Sequence, residues 1–177
     1  KVVNYEKNKE MLKDVPYKKY MDLAVTIRML VRVDETGIAS AIVTHDHTAR
    51  LGINEKELYA AALKNTEFLF PVRINKLEDV IRSLDSNGLV QEELPDTGIY
   101  VLSNLPRIAG ATTILYAQDQ VTQLAGELEC GFYIVPSSTN EVLLCPDNDE
   151  MDPEMLQRTA MEVNKFVVSD TEFLSNS

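Results

Sequence analysis

The strongest constraint on the fold is a run in which apolar residues occupy every second position. A turn ends this run, and a second apolar run follows it. Between Val25 and Val33 every odd-numbered position is apolar, and polar side chains occupy most of the alternate positions. Side chains of a β-strand point alternately to its two faces, so this pattern predicts a strand within Tyr20 to Val33. Asp34 to Gly37 reads as a turn and Ile38 to Val43 as the returning strand, which together predict a β-hairpin.

Helical periodicity is clearest between Glu55 and Phe70. Leu58, Ala61 and Leu69 recur at spacings typical of one helix face, and further apolar residues widen that face. Asn54 and Glu57 have the spacing of an N-cap residue and its N3 partner. Other helices are predicted at Asn8 to Val15, Thr44 to Ala49, Lys76 to Leu84, Gln118 to Leu128 and in a final segment that Asp152 caps and Pro153 begins.

The second half of the chain mixes strands and helices in the same way. Strands are predicted at Ile99 to Ser103, Phe132 to Val135 and Glu141 to Cys145, whereas Thr112 to Tyr116 fits either a strand or a helix. Strands that come in hairpins between helices predict an α+β fold, with an antiparallel or mixed sheet and helices packed mainly on one face. The length of 177 residues fits a single domain, whose tail from Ser169 to Ser177 is expected to fray.

The charge balance argues against two classes of partner. Seventeen Lys and Arg stand against 28 Asp and Glu, which gives a net charge of −11. Because nucleic acids and anionic membrane surfaces are bound largely through Lys and Arg, we expect neither as a partner. Two cysteines in apolar surroundings, Cys130 and Cys145, are interpreted as reduced core thiols, which is typical of a cytoplasmic protein.

The two histidines of the chain lie close together, in His45-Asp46-His47. Two histidines and a carboxylate can form an open metal site, and His45 and His47 would share a face if the segment were a strand. On a helix, ligands that share a face stand three or four residues apart, and further ligands are not evident in the sequence. We therefore predict a polar strand end and helix cap here, with no metal and no cofactor.

Polar loops between the predicted strands are the other candidate sites. Ser137 and Ser138 lie between two apolar strands, without the Gly-x-Ser-x-Gly motif of a nucleophilic serine, and are interpreted first as a hairpin loop. No phosphate-binding glycine motif is present. A catalytic set is not predicted, and the candidate binding residues are Asn104, Ser137, Ser138, Glu141 and His47.

Several short motifs follow one another along the chain, and together they resemble those of a known group of proteins. They include Val3-Asn4-Tyr5-Glu6-Lys7-Asn8, Gly37-Ile38-Ala39-Ser40, Val101-Leu102-Ser103-Asn104 and Pro136-Ser137-Ser138. With these motifs, most of the chain resembles the C-terminal part of an uncharacterised domain-of-unknown-function family common in anaerobic gut bacteria. The resemblance implies a longer protein, with a segment before Lys1, and supplies no activity. Members more often have asparagine at the position of His45 and a single histidine at that of His47.

These observations favour a non-enzymatic binding or protein-interaction domain of a bacterial cytoplasmic protein, whose partner is another protein or a second copy of the chain. The alternative is a metal-dependent hydrolase centred on His45, Asp46 and His47. A third hypothesis is an obligate oligomer whose interface is its function.

Overall fold

The strands of the protein form three antiparallel sheets in a computed structural model, which describes residues 1–34, 37–85, 94–148, 152–166, 169 and 172–175. The first sheet has the order β1-β3-β2, the second is the hairpin β4–β5, and the third has the order β6-β7-β9-β8. The strands are β1 (Val2–Asn4), β2 (Tyr17–Tyr20), β3 (Leu23–Thr26), β4 (Arg28–Asp34), β5 (Gly37–Ile42), β6 (Val72–Lys76), β7 (Tyr100–Asn104), β8 (Gly131–Ser138) and β9 (Glu141–Asp147).

Helices stand between these strands, so the predicted α+β class is confirmed. None of the helices within the described ranges has the length and apolar character that a membrane crossing requires. The α-helices are α1 (Lys9–Leu12), α2 (His45–Leu51), α3 (Glu55–Leu69), α4 (Leu77–Leu84), α5 (Gln118–Leu128) and α6 (Pro153–Phe166), and two 3-10 helices span Glu6–Asn8 and Gly110–Leu115.

The ends of α2 and α3 follow from local sequence. The hydroxyl of Thr44 accepts a hydrogen bond from the backbone N–H of His47 at 3.3 Å, and Asn54 Oδ1 accepts one from that of Glu57 at 2.9 Å. Each bond satisfies an N–H group that the first turn of a helix leaves without a partner. Gly52 ends α2 with φ of +63°, a conformation in which glycine meets no steric penalty. Both predicted helix starts are therefore confirmed.

The prediction of one continuous strand within Tyr20 to Val33 is wrong. The chain leaves the first sheet after Thr26 and enters the hairpin at Arg28, so one alternating run feeds two sheets. Buried Ile27 lies between them, and its carbonyl oxygen accepts a hydrogen bond from the backbone N–H of Val43 at 2.9 Å. The hairpin itself is confirmed, with Arg28 opposite Ile42, and residues 35 and 36 of its predicted turn lie outside the described residues.

Three further elements differ from the sequence-based expectation. The strand β6 was not predicted, because its five residues carry only Val72 and Ile74 as an apolar alternation. The ambiguous segment near Thr112 is a 3-10 helix, and the predicted helix from Asn8 to Val15 is limited to the single turn of α1. Strand β8 also continues through Ser138, so Ser137 and Ser138, which the sequence places in a hairpin loop, lie at the end of a strand.

The larger core lies against the four-stranded sheet. Leu102 of β7 and Leu144 of β9 are fully buried, and residues of α3, α5 and the second 3-10 helix pack against their cluster. A second cluster around Leu12, Val15 and Ala24 includes Ile42, which ties the base of the hairpin to the first sheet. Tyr59 of α3 thus packs against the larger cluster, and Ile42 of the hairpin packs against the second.

The C-terminal tail was predicted to fray, and for residues 172–175 that prediction is wrong. Leu174 is 1% exposed and belongs to the larger core. Its carbonyl oxygen accepts a hydrogen bond from Asn4 Nδ2 at 2.7 Å, and the hydroxyl of Ser175 donates to Asp22 Oδ2 at 2.7 Å. The burial of Leu174 and these hydrogen bonds together hold residues 172–175 against the body of the protein.

A buried carboxylate at the start of α4 positions the turn before β7. Glu78 is 6% exposed, and its Oε1 accepts hydrogen bonds from the backbone N–H and the hydroxyl of Thr97, both at 2.6 Å. These two bonds hold the pKa of the Glu78 carboxyl below its usual range. The ionised form of Glu78 is thus stabilised by folding.

We expect Glu78 to make stability depend on pH. A carboxyl whose pKa is lower in the folded state stabilises the fold fully above its unfolded-state pKa, and this contribution is lost as the pH falls through the folded-state pKa. Glu78→Gln should lower the free energy of unfolding by about 1 kcal/mol near neutral pH and by less near pH 3. Urea denaturation of both proteins across this range measures the difference. A gap that stayed constant or widened on acidification would contradict the assignment.

Candidate functional site

A concave surface lies between the hairpin β4–β5 and helix α3, and we call it the α3 groove. It encloses about 370 Å³ and is closed at its base by the segment 104–115. Its walls are mainly apolar, with Met29 and Leu30 from β4, Leu63 and Leu69 from α3, and Ile108 from the segment after β7. A volume of this size falls within the range of about 300–1,000 Å³ that is typical of small-molecule sites.

Two tyrosines hold the groove wall formed by α3. The Tyr59 hydroxyl donates a hydrogen bond to the carbonyl oxygen of Val25, and the Tyr116 hydroxyl donates to that of Phe70 at 2.8 Å. Burial raises the pKa of each tyrosine to about 12, so both remain protonated donors at any physiological pH. Helix α3 is therefore anchored in its second turn and at its C-cap residue by polar contacts, and no residue within it is fully buried.

The apolar side chains of the groove are unusually open to solvent. Met29 is 53% exposed, Leu69 is 48% and Ile108 is 42%. Single exposed apolar residues are normal on protein surfaces, but several of them around one concavity are typical of a binding site. Covering them would remove apolar surface from water, which is the main favourable contribution to binding of an apolar group.

The base of the groove contains strained backbone. Arg107 and Ala109 have φ of +52° and +49°, a left-handed conformation that is uncommon for residues other than glycine. Asn104 holds the loop between them, since its Nδ2 donates to the carbonyl oxygen of Ile108 at 2.9 Å and its Oδ1 accepts from the Ile108 N–H at 3.1 Å. Such conformations persist where surrounding contacts enforce them, and they cluster at functional sites.

One polar group at the groove is left without a partner. Thr112 lines the cavity and is 7% exposed, and its Oγ1 has no hydrogen-bond partner among the residues that the structure describes. Two other groove hydroxyls form internal hydrogen bonds: that of Thr66 donates to the carbonyl oxygen of Ala62, and that of Ser40 accepts from Arg28. The interior of the groove is thus an apolar surface with few available polar groups.

The structure brings together some of the sequence-predicted site residues. Asn104 is 2% exposed and lines the groove. Glu141 pairs with Arg107 across the neighbouring loop, and the Ser138 hydroxyl accepts a hydrogen bond from the Asn140 N–H at 3.1 Å. The loop after β8 therefore packs beside the groove base, while Ser137, Ser138 and Glu141 are not among the groove-lining residues that the structure describes.

His47 occupies a separate position, at the start of α2. Its Nδ1 accepts a hydrogen bond from the backbone N–H of Thr44 at 3.1 Å, and it completes the helix cap. Residues 45 and 47 lie in a helix, where two positions apart means about 200° of rotation, so the strand geometry that a shared metal would need is not formed. Within the described ranges, no group of three or more His, Cys, Asp and Glu side chains is placed to hold a metal ion.

The sequence analysis did not identify the groove, because it used the residues of its walls only as apolar positions of a strand and of a helix face. The residues concerned are the odd-numbered Met29 of the hairpin and Leu63 and Leu69 of α3. A signal was present: the apolar face of α3 is wider than one stripe, and a helix that packs on one side does not need that width. Arg28, on the polar side of the alternating run, was also not considered as a site residue.

Comparison with known proteins gives one positive result. A family model described as "Family of unknown function (DUF5688)" matches residues 1–177. No curated protein and no solved structure matches the chain.

Proposed function

From the premise that the chain belongs to the family of unknown function DUF5688 over residues 1–177, we propose that it is a binding domain whose α3 groove takes an apolar ligand. The observation that carries the proposal is the cluster of half-exposed apolar side chains around a cavity of about 370 Å³. This cluster includes Met29, Leu63 and Leu69. A surface of this kind gains free energy from an occupant that shields it from water.

The anchoring of the groove supports a preformed site. Tyr59 and Tyr116 fix α3, and the Asn104 side chain fixes the loop at the base. A binding surface that is already in place loses little conformational freedom when a ligand enters, which favours affinity. The polar groups near the cavity act mainly in these internal bonds, which fits a binding role better than a catalytic one.

Other parts of the sequence-based interpretation stay predictions. They concern a cytoplasmic location, a gut-bacterial origin, a position at the C-terminal end of a longer protein, and a protein partner or second copy. The alternative of a hydrolase centred on His45, Asp46 and His47 also stays a prediction, and the helical placement of these residues does not favour it.

Filling the groove tests the proposal. Ala62 lines the cavity from α3, whereas Ala60 is an exposed residue of the same helix outside the set of lining residues. We expect the uncharged fluorophore Nile red to bind the protein, and Ala62→Trp to weaken that binding about tenfold or more because the indole occupies ligand space. Ala60→Trp adds the same ring elsewhere and should leave the affinity unchanged.

Fluorescence titration measures both affinities, and circular dichroism confirms that α3 is retained in each variant. Leu69→Gln offers a second variant that removes apolar wall without adding bulk, and it should also weaken binding. If wild-type protein did not bind the dye, or if all three variants bound it equally well, the groove would not be the binding site.

A further inference from the structure

The charges around the α3 groove differ from those of the rest of the chain. The whole chain carries 28 Asp and Glu against 17 Lys and Arg. Among the described residues that line the groove, however, Arg28 and Lys1 are charged and there is no Asp or Glu. The groove is therefore locally cationic within an acidic protein, and this complementarity favours an anionic occupant.

Arg28 is oriented for such a contact. Its Nε donates a hydrogen bond to the Ser40 hydroxyl at 2.8 Å, and its Nη2 donates to the Ser40 carbonyl oxygen at 2.8 Å. Both bonds run across the hairpin from β4 to β5 and fix the plane of the guanidinium. Within the described part of the chain Arg28 forms no ion pair, so its positive charge is not neutralised by a carboxylate. A guanidinium offers five N–H donors, and these two bonds use only part of that set.

Lys1 adds a second positive charge near the first. Burial and then the Arg28 charge lower the pKa of the Lys1 side chain, and the Glu172 carboxylate acts in the opposite direction with a smaller effect. Two cations that repel each other across a partly buried site are stabilised by an anion placed between them. Both cations line the groove, so an anion bound there would reduce the repulsion between them.

The size of the cavity fits a small ligand. A volume of about 370 Å³ lies in the range of small-molecule sites and holds a short hydrocarbon chain. The apolar walls and the Arg28 guanidinium line the same cavity. An occupant with a hydrocarbon chain and one negatively charged head would therefore contact both the walls and the guanidinium. Such a molecule buries its chain against Leu63 and Leu69 while its head stays close to Arg28.

We propose that the ligand of the α3 groove is an alkyl carboxylate, whose hydrocarbon chain lies along α3 and whose carboxylate is bound by Arg28. This inference rests on the proposed binding function and names its ligand class. Guanidinium and carboxylate are matched in geometry, since two parallel N–H groups can donate to the two oxygens.

A series of probes with one chain and three heads tests the ligand class. Octanoate, 1-octanol and octyltrimethylammonium carry the same hydrocarbon chain with a negative, a neutral and a positive head. Octanoate should bind about three- to tenfold more tightly than 1-octanol, because Arg28 is solvent-exposed and its contribution is moderated by water. Octyltrimethylammonium should bind more weakly than either. Isothermal titration calorimetry with wild-type protein measures all three.

Variants of the protein then test which residue recognises the charged head of the ligand. Arg28→Gln should lower octanoate affinity to that of 1-octanol and leave 1-octanol unchanged, and Arg28→Lys should restore part of the preference. Arg50→Gln removes an exposed cation from α2 and is the matched control, with no expected effect. If octanoate and 1-octanol bound equally well to wild-type protein, the ligand class would be overturned while the proposed function stood. If none of the three probes bound, the proposed function would fail as well.

Discussion

Gly110→Ala is expected to lower the free energy of unfolding by about 2–4 kcal/mol. Gly110 begins the 3-10 helix at the base of the groove and is buried against β7 and the loop between β8 and β9. A Cβ on this residue would collide with the carbonyl oxygen of Asn140 and the hydroxyl of Ser103. These two groups are hydrogen-bonded to each other, since the Ser103 hydroxyl donates to the Asn140 carbonyl oxygen at 2.7 Å. A backbone oxygen cannot rotate away as the end of a side chain can, so the substitution must displace β7 from the loop between β8 and β9.

The matched control is Gly126→Ala in α5, where an added Cβ meets no atom within 4 Å. Alanine favours a helix interior more than glycine does, so this change should raise the free energy of unfolding by about 0.5–1 kcal/mol. Chemical denaturation of the two variants and the wild type gives both values. Equal effects, or a neutral Gly110→Ala, would show that the packing at the groove base is looser than the structure indicates.

Leu174→Ala is expected to lower the free energy of unfolding by about 2–5 kcal/mol. Leu174 is 1% exposed and packs in one cluster with Val2, Leu102 and Leu144. Truncation to alanine removes buried apolar surface and leaves a cavity among residues of the sheet, which cannot close without distorting β7 and β9. The tail that carries this leucine was expected from its sequence to fray.

Met155→Ala is the control for Leu174→Ala, because Met155 is 61% exposed in the neighbouring helix α6. Its substitution should change the free energy of unfolding by less than about 0.5 kcal/mol. Urea denaturation followed by circular dichroism distinguishes the two variants. A Leu174→Ala protein as stable as the Met155→Ala protein would mean that the tail is not part of the core in solution.

Elements with local signals could be predicted from the sequence. The helix starts at Thr44 and Asn54 are specified by side chains that hydrogen-bond within the next three residues. The hairpin follows from an alternating run that ends at a turn and is followed by a second apolar run. The α+β class follows from these elements together. In each case the relevant interactions lie within a few residues of one another, so the pattern of the sequence contains them.

Interactions between distant residues account for the differences. Nothing near Ile27 shows that the alternating run divides between two sheets, since the division depends on pairing with β1 and β2 on one side and β5 on the other. The burial of Leu174 also depends on distant residues, and Leu174 is not part of a periodic apolar pattern in the sequence. The groove depends on still more distant contacts, because the apolar patterns that contain Met29 and Leu69 do not show that the structure leaves both side chains about half exposed.

The hydrogen bond between Asn4 and the Leu174 carbonyl has a consequence for synthesis of the protein. The two residues are 170 positions apart. At about 5–20 residues per second, the ribosome makes Leu174 on the order of ten seconds after Asn4. Throughout that interval the site that Leu174 fills, beside Val2 and Leu102, is open on the nascent chain. The emerging polypeptide must therefore keep this apolar surface away from its neighbours until the segment that contains Leu174 has been made, which is the condition under which cotranslational chaperones act.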